Sequence, residues 1–200
     1  MTLGTLIAVT GFALVATMTP GGATALATAS GANFGLRRSV PFIVGIALGL
    51  SLLGGAGALG LAALVLAIPS LELALRALGS GYLLWLAWRI GRSGSPQREA
   101  HVTAPVGVFG GMLLLWLNPK AWALAVGAAA TFGEKASSPM ALAVAFAIVF
   151  GVCAAISMTL WSATGLMLSR VLRTDRHWRW VNAALGLLLA LSVLPMWVGR

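Results

Sequence analysis

Charge is what this chain has least of. Only 8% of its 200 residues are charged, and just four of them are Asp or Glu. A soluble domain of ordinary usage carries about 25%. The carboxylates (Glu72, Glu99, Glu134, Asp175) and the histidines (His101, His177) all fall in or next to polar stretches between apolar runs. With no carboxylate or imidazole in the middle of a run, the sequence disfavours an intramembrane protease, a buried metal site and a carboxylate proton relay. It also disfavours a pocket built for a second positive charge. Cys153 is the sole cysteine, which excludes an internal disulfide framework and a thiol relay, since each needs a pair. No nucleophile–base pair or metal cluster is visible, so the residues support neither an enzyme nor a cofactor.

What the chain has instead is apolar length, at 60% hydrophobic residues. A helix needs about 20 residues to cross a bilayer. Runs of that order cover roughly 3–29, 40–66, 71–91, 105–131, 140–169 and 179–198, which makes six spans and leaves almost nothing for a soluble domain. The net charge of +9 could suggest nucleic acid, but its placement points to a lipid bilayer instead. Arg37 and Arg38, then Arg89, Arg92 and Arg98, then Arg170, Arg173, Arg176 and Arg179 occupy alternate loops. The other side holds only Arg76, Lys135 and Arg200 beside Glu72 and Glu134. Basic residues favour the cytoplasmic side, so both termini are expected outside. Residues 1–29 have a signal-peptide look, with Ala27-Thr28-Ala29 as a mock cleavage site. No Lys or Arg precedes the run, however, and Pro20 interrupts it, so a retained first span is expected.

The longest polar stretch, Arg89 to Thr103, divides the chain into halves of three spans. An odd number of spans per half forces the halves into opposite orientations, the inverted-repeat plan of many secondary transporters. The expected fold is a single all-α membrane domain over 1–200, with repeat one at about 1–92, a linker at about 93–104 and repeat two at about 105–200. Pro20 in the first span answers Pro119 in the fourth, and Gly81–Ala87 echoes Gly186–Ser192.

Two proline motifs mark broken helices: Thr19-Pro20-Gly21-Gly22 in the first span and Asn118-Pro119-Lys120 in the fourth. Proline removes a backbone donor and biases the residue before it away from helix. Thr and Asn are good N-caps, and proline suits the first helical position. Each motif is therefore expected to end one half-helix and start another, with Thr19 and Asn118 as caps. Each new N-terminus would offer bare amides and a partial positive charge to an anion. Lys120 adds a full charge, which costs roughly 2.5–3.5 kcal/mol at mid-membrane and so needs a reason. A simple proline kink is the alternative at Pro20, and snorkelling to an interface the alternative at Lys120. Thr24, Tyr82 and Trp116 are weaker candidates to line a pathway. A small anion or an α-carboxylate would suit the pair of motifs. Proton coupling through Lys120 or water stays open, as does a homo-oligomer.

Gly45, Gly49, Gly54, Gly55, Gly57 and Gly60 crowd the second span. They serve either close helix packing or the approach of a solute to backbone carbonyls. Trp85, Trp88, Trp178, Trp180 and Trp197 fall near span ends and read as interface anchors.

Together the motifs resemble the LysE/RhtB family of amino-acid exporters. The matching pieces are Thr19-Pro20-Gly21, Gly35-Leu36-Arg37-Arg38, Gly45 through Gly49, Gly81-Tyr82-Leu83-Leu84-Trp85-Leu86, Asn118-Pro119-Lys120-Ala121 and Trp161. They cover nearly the whole chain in the right order. The resemblance implies an inner-membrane exporter that relieves an excess of amino acids or related metabolites. Three departures stand near the motifs: Gly22-Ala23 where the family has a second proline and often a polar residue, Thr131-Phe132-Gly133 in place of a Pro-Gln-Phe-like stretch, and Ser157-Met158 where an acidic residue is common. They lean toward a small neutral solute. A membrane scaffold or receptor subunit without a transport cycle is the competing reading.

Overall fold

The computed structural model describes residues 2–61, 67–92, 105–133, 138–172, 174–194 and 197. The expected linker at about 93–104, with Arg98, Glu99 and His101, lies outside them, as do Glu134, Lys135, Arg173 and Arg200. Among the described residues every regular element is a helix: α1 (Leu3–Met18), α2 (Gly22–Ala58), α3 (Pro69–Gly91), α4 (Val108–Trp116), α5 (Pro119–Phe132), α6 (Pro139–Val171) and α7 (Asp175–Leu191).

Local chemistry explains where most of these begin. Thr2, Ser138 and Thr174 cap α1, α6 and α7, their hydroxyls accepting from the amides of Thr5, Ala141 and His177. Proline opens α3, α5 and α6, where its missing N–H costs nothing. By length and composition α2 and α6 can each cross a bilayer alone. The pair α4 and α5, bent by 67° at their break, makes a third crossing if counted as one span. The interruptions fall at the two proline motifs.

One expected boundary is corrected. The first and second spans were to be joined by a basic loop, but α2 runs through it. Gly35 takes φ 72° and ψ 169°, a left-handed φ that glycine tolerates and other residues rarely do. The chain bends there and re-enters helix at once. Ser39 donates to the Gly35 carbonyl (2.9 Å) and shares a hydrogen bond with Ser30 across the bend (2.8 Å). Arg37 and Arg38 thus stand on a helix, exposed. The last span also starts earlier than expected, because the Thr174 cap brings Arg176 and Arg179 into α7.

α2 lies along α6, α4 and α5 pack on α2, α1 packs on α6, and α3 pairs with α7. Most of the second-span glycines settle into packing; Gly60 instead takes φ 81° just past the end of α2 and meets nothing within 4 Å. A Cβ at Gly45 would fall on the Val108 carbonyl, one at Gly54 on the Phe150 ring, and one at Gly57 within 2.9 Å of the Ala125 Cβ. At the crossing of α2 with α6 the fit is closest, where a Cβ at Gly31 would fall on the Ser162 carbonyl and one at Gly165 on that of Thr28. The Ser162 hydroxyl is buried there without a hydrogen-bond partner among the described residues. Outward, α6 shows Met140, Val144, Ile148, Val152, Ile156 and Leu160 as an exposed stripe, an apolar face suited to lipid.

The tryptophans divide. Trp85, Trp88, Trp180 and Trp197 are exposed. Arg89 lies over the Trp85 ring (5.4 Å) and Arg92 over that of Trp88 (4.8 Å). Trp178 is no anchor: only 2% exposed, it donates its indole N–H to the Leu172 carbonyl (2.9 Å) and closes the end of α6. Its place in the chain suggested an interface, but an orphan carbonyl one turn away supplied a better partner.

Gly165→Ala is expected to destabilise the protein by about 1–3 kcal/mol, lowering the thermal midpoint in detergent by several degrees. Gly81→Ala, where an added methyl meets nothing within 4 Å, should stay within about 0.5 kcal/mol. Equal midpoints for the two variants would remove the α2–α6 crossing as a point of contact.

Candidate functional site

Between the two helix breaks lies a cavity of about 70 Å³. Its polar edge is formed by Thr17, Thr19, Gly21, Gly22, Thr24, Asn118 and Lys120, and its apolar wall includes Ile46, Leu50, Leu124 and Met158. The sequence motifs single out this polar set apart from Thr17, but not the wall. A leucine that lines a cavity and one that faces lipid look alike in a sequence, and no local signal separates them.

The first break is built differently from expectation. Thr19 does not cap α2; it ends α1, its amide and hydroxyl both donating to the Val15 carbonyl (3.1 and 2.7 Å). Gly21 is the N-cap of α2 and offers no side chain. Thr24 supplies part of what Gly21 lacks: its hydroxyl accepts from the Gly21 amide (2.7 Å) and donates to the Gly21 carbonyl (2.9 Å). Such reach-back from the third helical position is half of a capping box. Thr24 lines the cavity with its donor already spent. The first α2 amide bonded to a carbonyl four residues back is that of Ala25, to Gly21 (2.9 Å). The amides of Gly22, Ala23 and Thr24 have no side-chain cap, as expected of an open helix start.

The second break follows expectation in its cap but not in its amides. Asn118 is buried, and its Oδ1 accepts from the Lys120 amide (3.0 Å) while its carbonyl accepts from Ala121 (2.9 Å). Pro119 has no N–H to offer. This helix start is therefore largely satisfied within the chain, and the expected row of bare donors is absent there. The end of α4 is closed too, since Trp122 donates its indole N–H to the Trp116 carbonyl (2.7 Å). Trp116 in turn donates to the Gly49 carbonyl (3.2 Å), tying the break to α2. What the second motif contributes to the cavity is the Lys120 ammonium.

That ammonium lies directly over the first break: Nζ is 3.7 Å from where a Gly21 Cβ would stand. Lys120 is exposed rather than packed into the core, and no acidic residue lines the cavity among the described residues. Pro20 and Tyr82 are not in the lining. Pro20 acts through the backbone it interrupts, and Tyr82 lies on α3 with its ring stacked on Trp85 (5.9 Å). Among the described residues no group of three or more His, Cys, Asp or Glu could hold a metal.

The site is thus an open helix start, a lone ammonium and a small apolar wall. Comparison with known proteins gives this arrangement a lineage. The chain is 27% identical over 188 residues to the cysteine/O-acetylserine efflux protein of Klebsiella pneumoniae, covering 92% of this chain and 93% of that one. Over 179 residues it is likewise 27% identical to the protein of the same description from Escherichia coli strains, including K12. No solved structure matches it. The model of the LysE type translocator family matches residues 14–194, both proline motifs included, and the chain belongs to that family.

Proposed function

We propose that this protein exports small neutral amino acids of the size of cysteine, with the substrate carboxylate held between the open start of α2 and the Lys120 ammonium. Membership of a translocator family makes it a membrane transport protein rather than an enzyme or a passive scaffold. The observation that carries the substrate reading is the position of Lys120 Nζ over Gly21. There a full positive charge and a positive helix end converge on one cavity. A carboxylate is the natural complement, and charge-assisted hydrogen bonds from N–H donors are the stronger kind.

Size and polarity narrow the substrate. With about 70 Å³ of free space, the cavity exceeds what a single water needs and suits a substrate of a few non-hydrogen atoms. Cysteine, with seven non-hydrogen atoms, is of that order; an arginine or a tryptophan is far larger. The wall of Ile46, Leu50, Leu124 and Met158 carries no charge to meet a charged side chain. The curated relatives named for cysteine and O-acetylserine efflux agree with this reading.

We further propose the inverted-repeat plan, with α1 and the first arm of α2 as span one and the bent pair α4 and α5 as its counterpart. Support comes from the two breaks and from the pairing of α3 with α7, the third elements of each half. Small substrates bound at breaks between such repeats are the common transporter arrangement. We read Arg37, Arg38, Arg89, Arg92, Arg170, Arg176 and Arg179 as facing the cytoplasmic side of the inner membrane, with both termini outside, on the preference of basic residues for that side. With no carboxylate or histidine in the cavity lining among the described residues, we propose that any proton coupling runs through Lys120 or water.

Lys120→Ala is expected to lower cysteine efflux from loaded cells or vesicles by about 10- to 100-fold, the worth of one hydrogen bond to a charged group. The protein should still insert normally, because the side chain is exposed. Efflux at the unaltered rate would remove Lys120 from the mechanism. For topology, a membrane-impermeant thiol reagent should label Thr2→Cys in intact cells when Cys153 is replaced by alanine. Labelling only after permeabilisation would invert the orientation.

A further inference from the structure

The same cavity holds a second unpaired group, of opposite polarity. In a continuous helix each carbonyl accepts from the amide four residues on. For Ala16 that residue is Pro20, which has no N–H to give. The neighbouring carbonyls are both engaged, Val15 by its regular donor and Thr17 by a substitute. That of Val15 takes the amide and hydroxyl of Thr19, and that of Thr17 takes the buried hydroxyl of Ser157 from α6 (2.7 Å). The Ala16 carbonyl has no donor among the described residues, and Ala16 lines the cavity beside Thr17 and Thr19. Lys120 Nζ likewise has no hydrogen-bond partner among them, although it borders the same space. The two unpaired groups would satisfy each other, yet the fold does not join them.

We propose that the Ala16 carbonyl is the subsite for the primary ammonium of the substrate, so that the cavity takes a zwitterion and not a simple anion. This rests on the efflux reading above and adds a requirement to it. The negative end of α1 reinforces the carbonyl, just as the positive start of α2 reinforces Lys120. A single proline creates both poles: it strips Ala16 of its donor on one side and opens the next helix on the other. The substrate backbone then bridges the gap between the two helices, with its carboxylate toward Lys120, its ammonium toward Ala16 and its side chain against Leu50, Leu124 and Met158.

The test compares protein-dependent flux of L-cysteine with that of 3-mercaptopropionate, which keeps the thiol and carboxylate and replaces the ammonium by hydrogen. In reconstituted vesicles cysteine is expected to move at least 10-fold faster. Equal rates would overturn the ammonium subsite and leave the carboxylate reading standing. Transport of neither compound would overturn both. Pro20→Ala returns a donor to the Ala16 carbonyl, and it should pull the cysteine-to-mercaptopropionate ratio toward one with the protein still inserted. A ratio unchanged in that variant would refute the assignment to Ala16. If the variant does not insert, the substrate pair on the unaltered protein decides alone.

Discussion

A backbone amide or carbonyl that faces hydrocarbon without a partner costs several kcal/mol, and the whole architecture is arranged around where that cost is met. Along α6 the helix satisfies its own backbone, and α2 does so apart from its bend at Gly35 and from Pro41, which has no N–H to give. At the break in the fourth segment Asn118, Trp122 and the Asn118 carbonyl close most of what proline opens. At the break in the first segment the chain closes only part. Thr24 takes the amide and carbonyl of Gly21 and Ser157 takes the Thr17 carbonyl, while the Ala16 carbonyl and the first α2 amides stay open beside a cavity. The two breaks look alike in sequence and are unequal in chemistry. The first supplies the exposed backbone, and the second supplies a charge brought over it.

Much of this could be read from the sequence, for a definite reason. Proline, its preceding cap and a lysine in an apolar run are local statements that the backbone obeys wherever it lies. The breaks at Pro20 and Pro119 and the cap by Asn118 followed directly. What escaped was set by contacts between distant elements or by a single dihedral angle. Gly35 was read as part of a loop, but one left-handed φ lets α2 continue through it. Thr19 was given the role that Gly21 and Thr24 share, because its hydroxyl turned back to Val15 instead. Trp178 resembled every other tryptophan at a span end until the Leu172 carbonyl came within reach. The apolar cavity wall had no signature, since Ile46 and Met158 earn their place only by where α2 and α6 cross.

The glycines bear on the same division. Their density in the second span allowed either a packing or a permeation role; Gly45, Gly49, Gly54 and Gly57 meet backbone or a close-packed side chain, whereas Gly60, at φ 81°, meets nothing within 4 Å. Small residues let helices without a hydrophobic drive toward each other come close enough for dispersion and weak hydrogen bonds to act. The crossing at Gly31 and Gly165 lies about two turns beyond the cavity-lining Thr24 and Met158, toward the end that carries Arg37, Arg38 and Arg170. On that side the floor of the cavity is packed backbone.

The length of α6 carries a mechanical corollary. Its 33 residues extend roughly 50 Å at 1.5 Å per residue, against a hydrocarbon layer of about 30 Å. Such a rod fits only by leaning and by resting its ends among the headgroups. Ala154 and Met158, near its middle, are part of the cavity wall. Membrane thickness, by setting that lean, therefore acts on the shape of the chamber, and the surrounding lipid becomes a part of the transporter's working geometry.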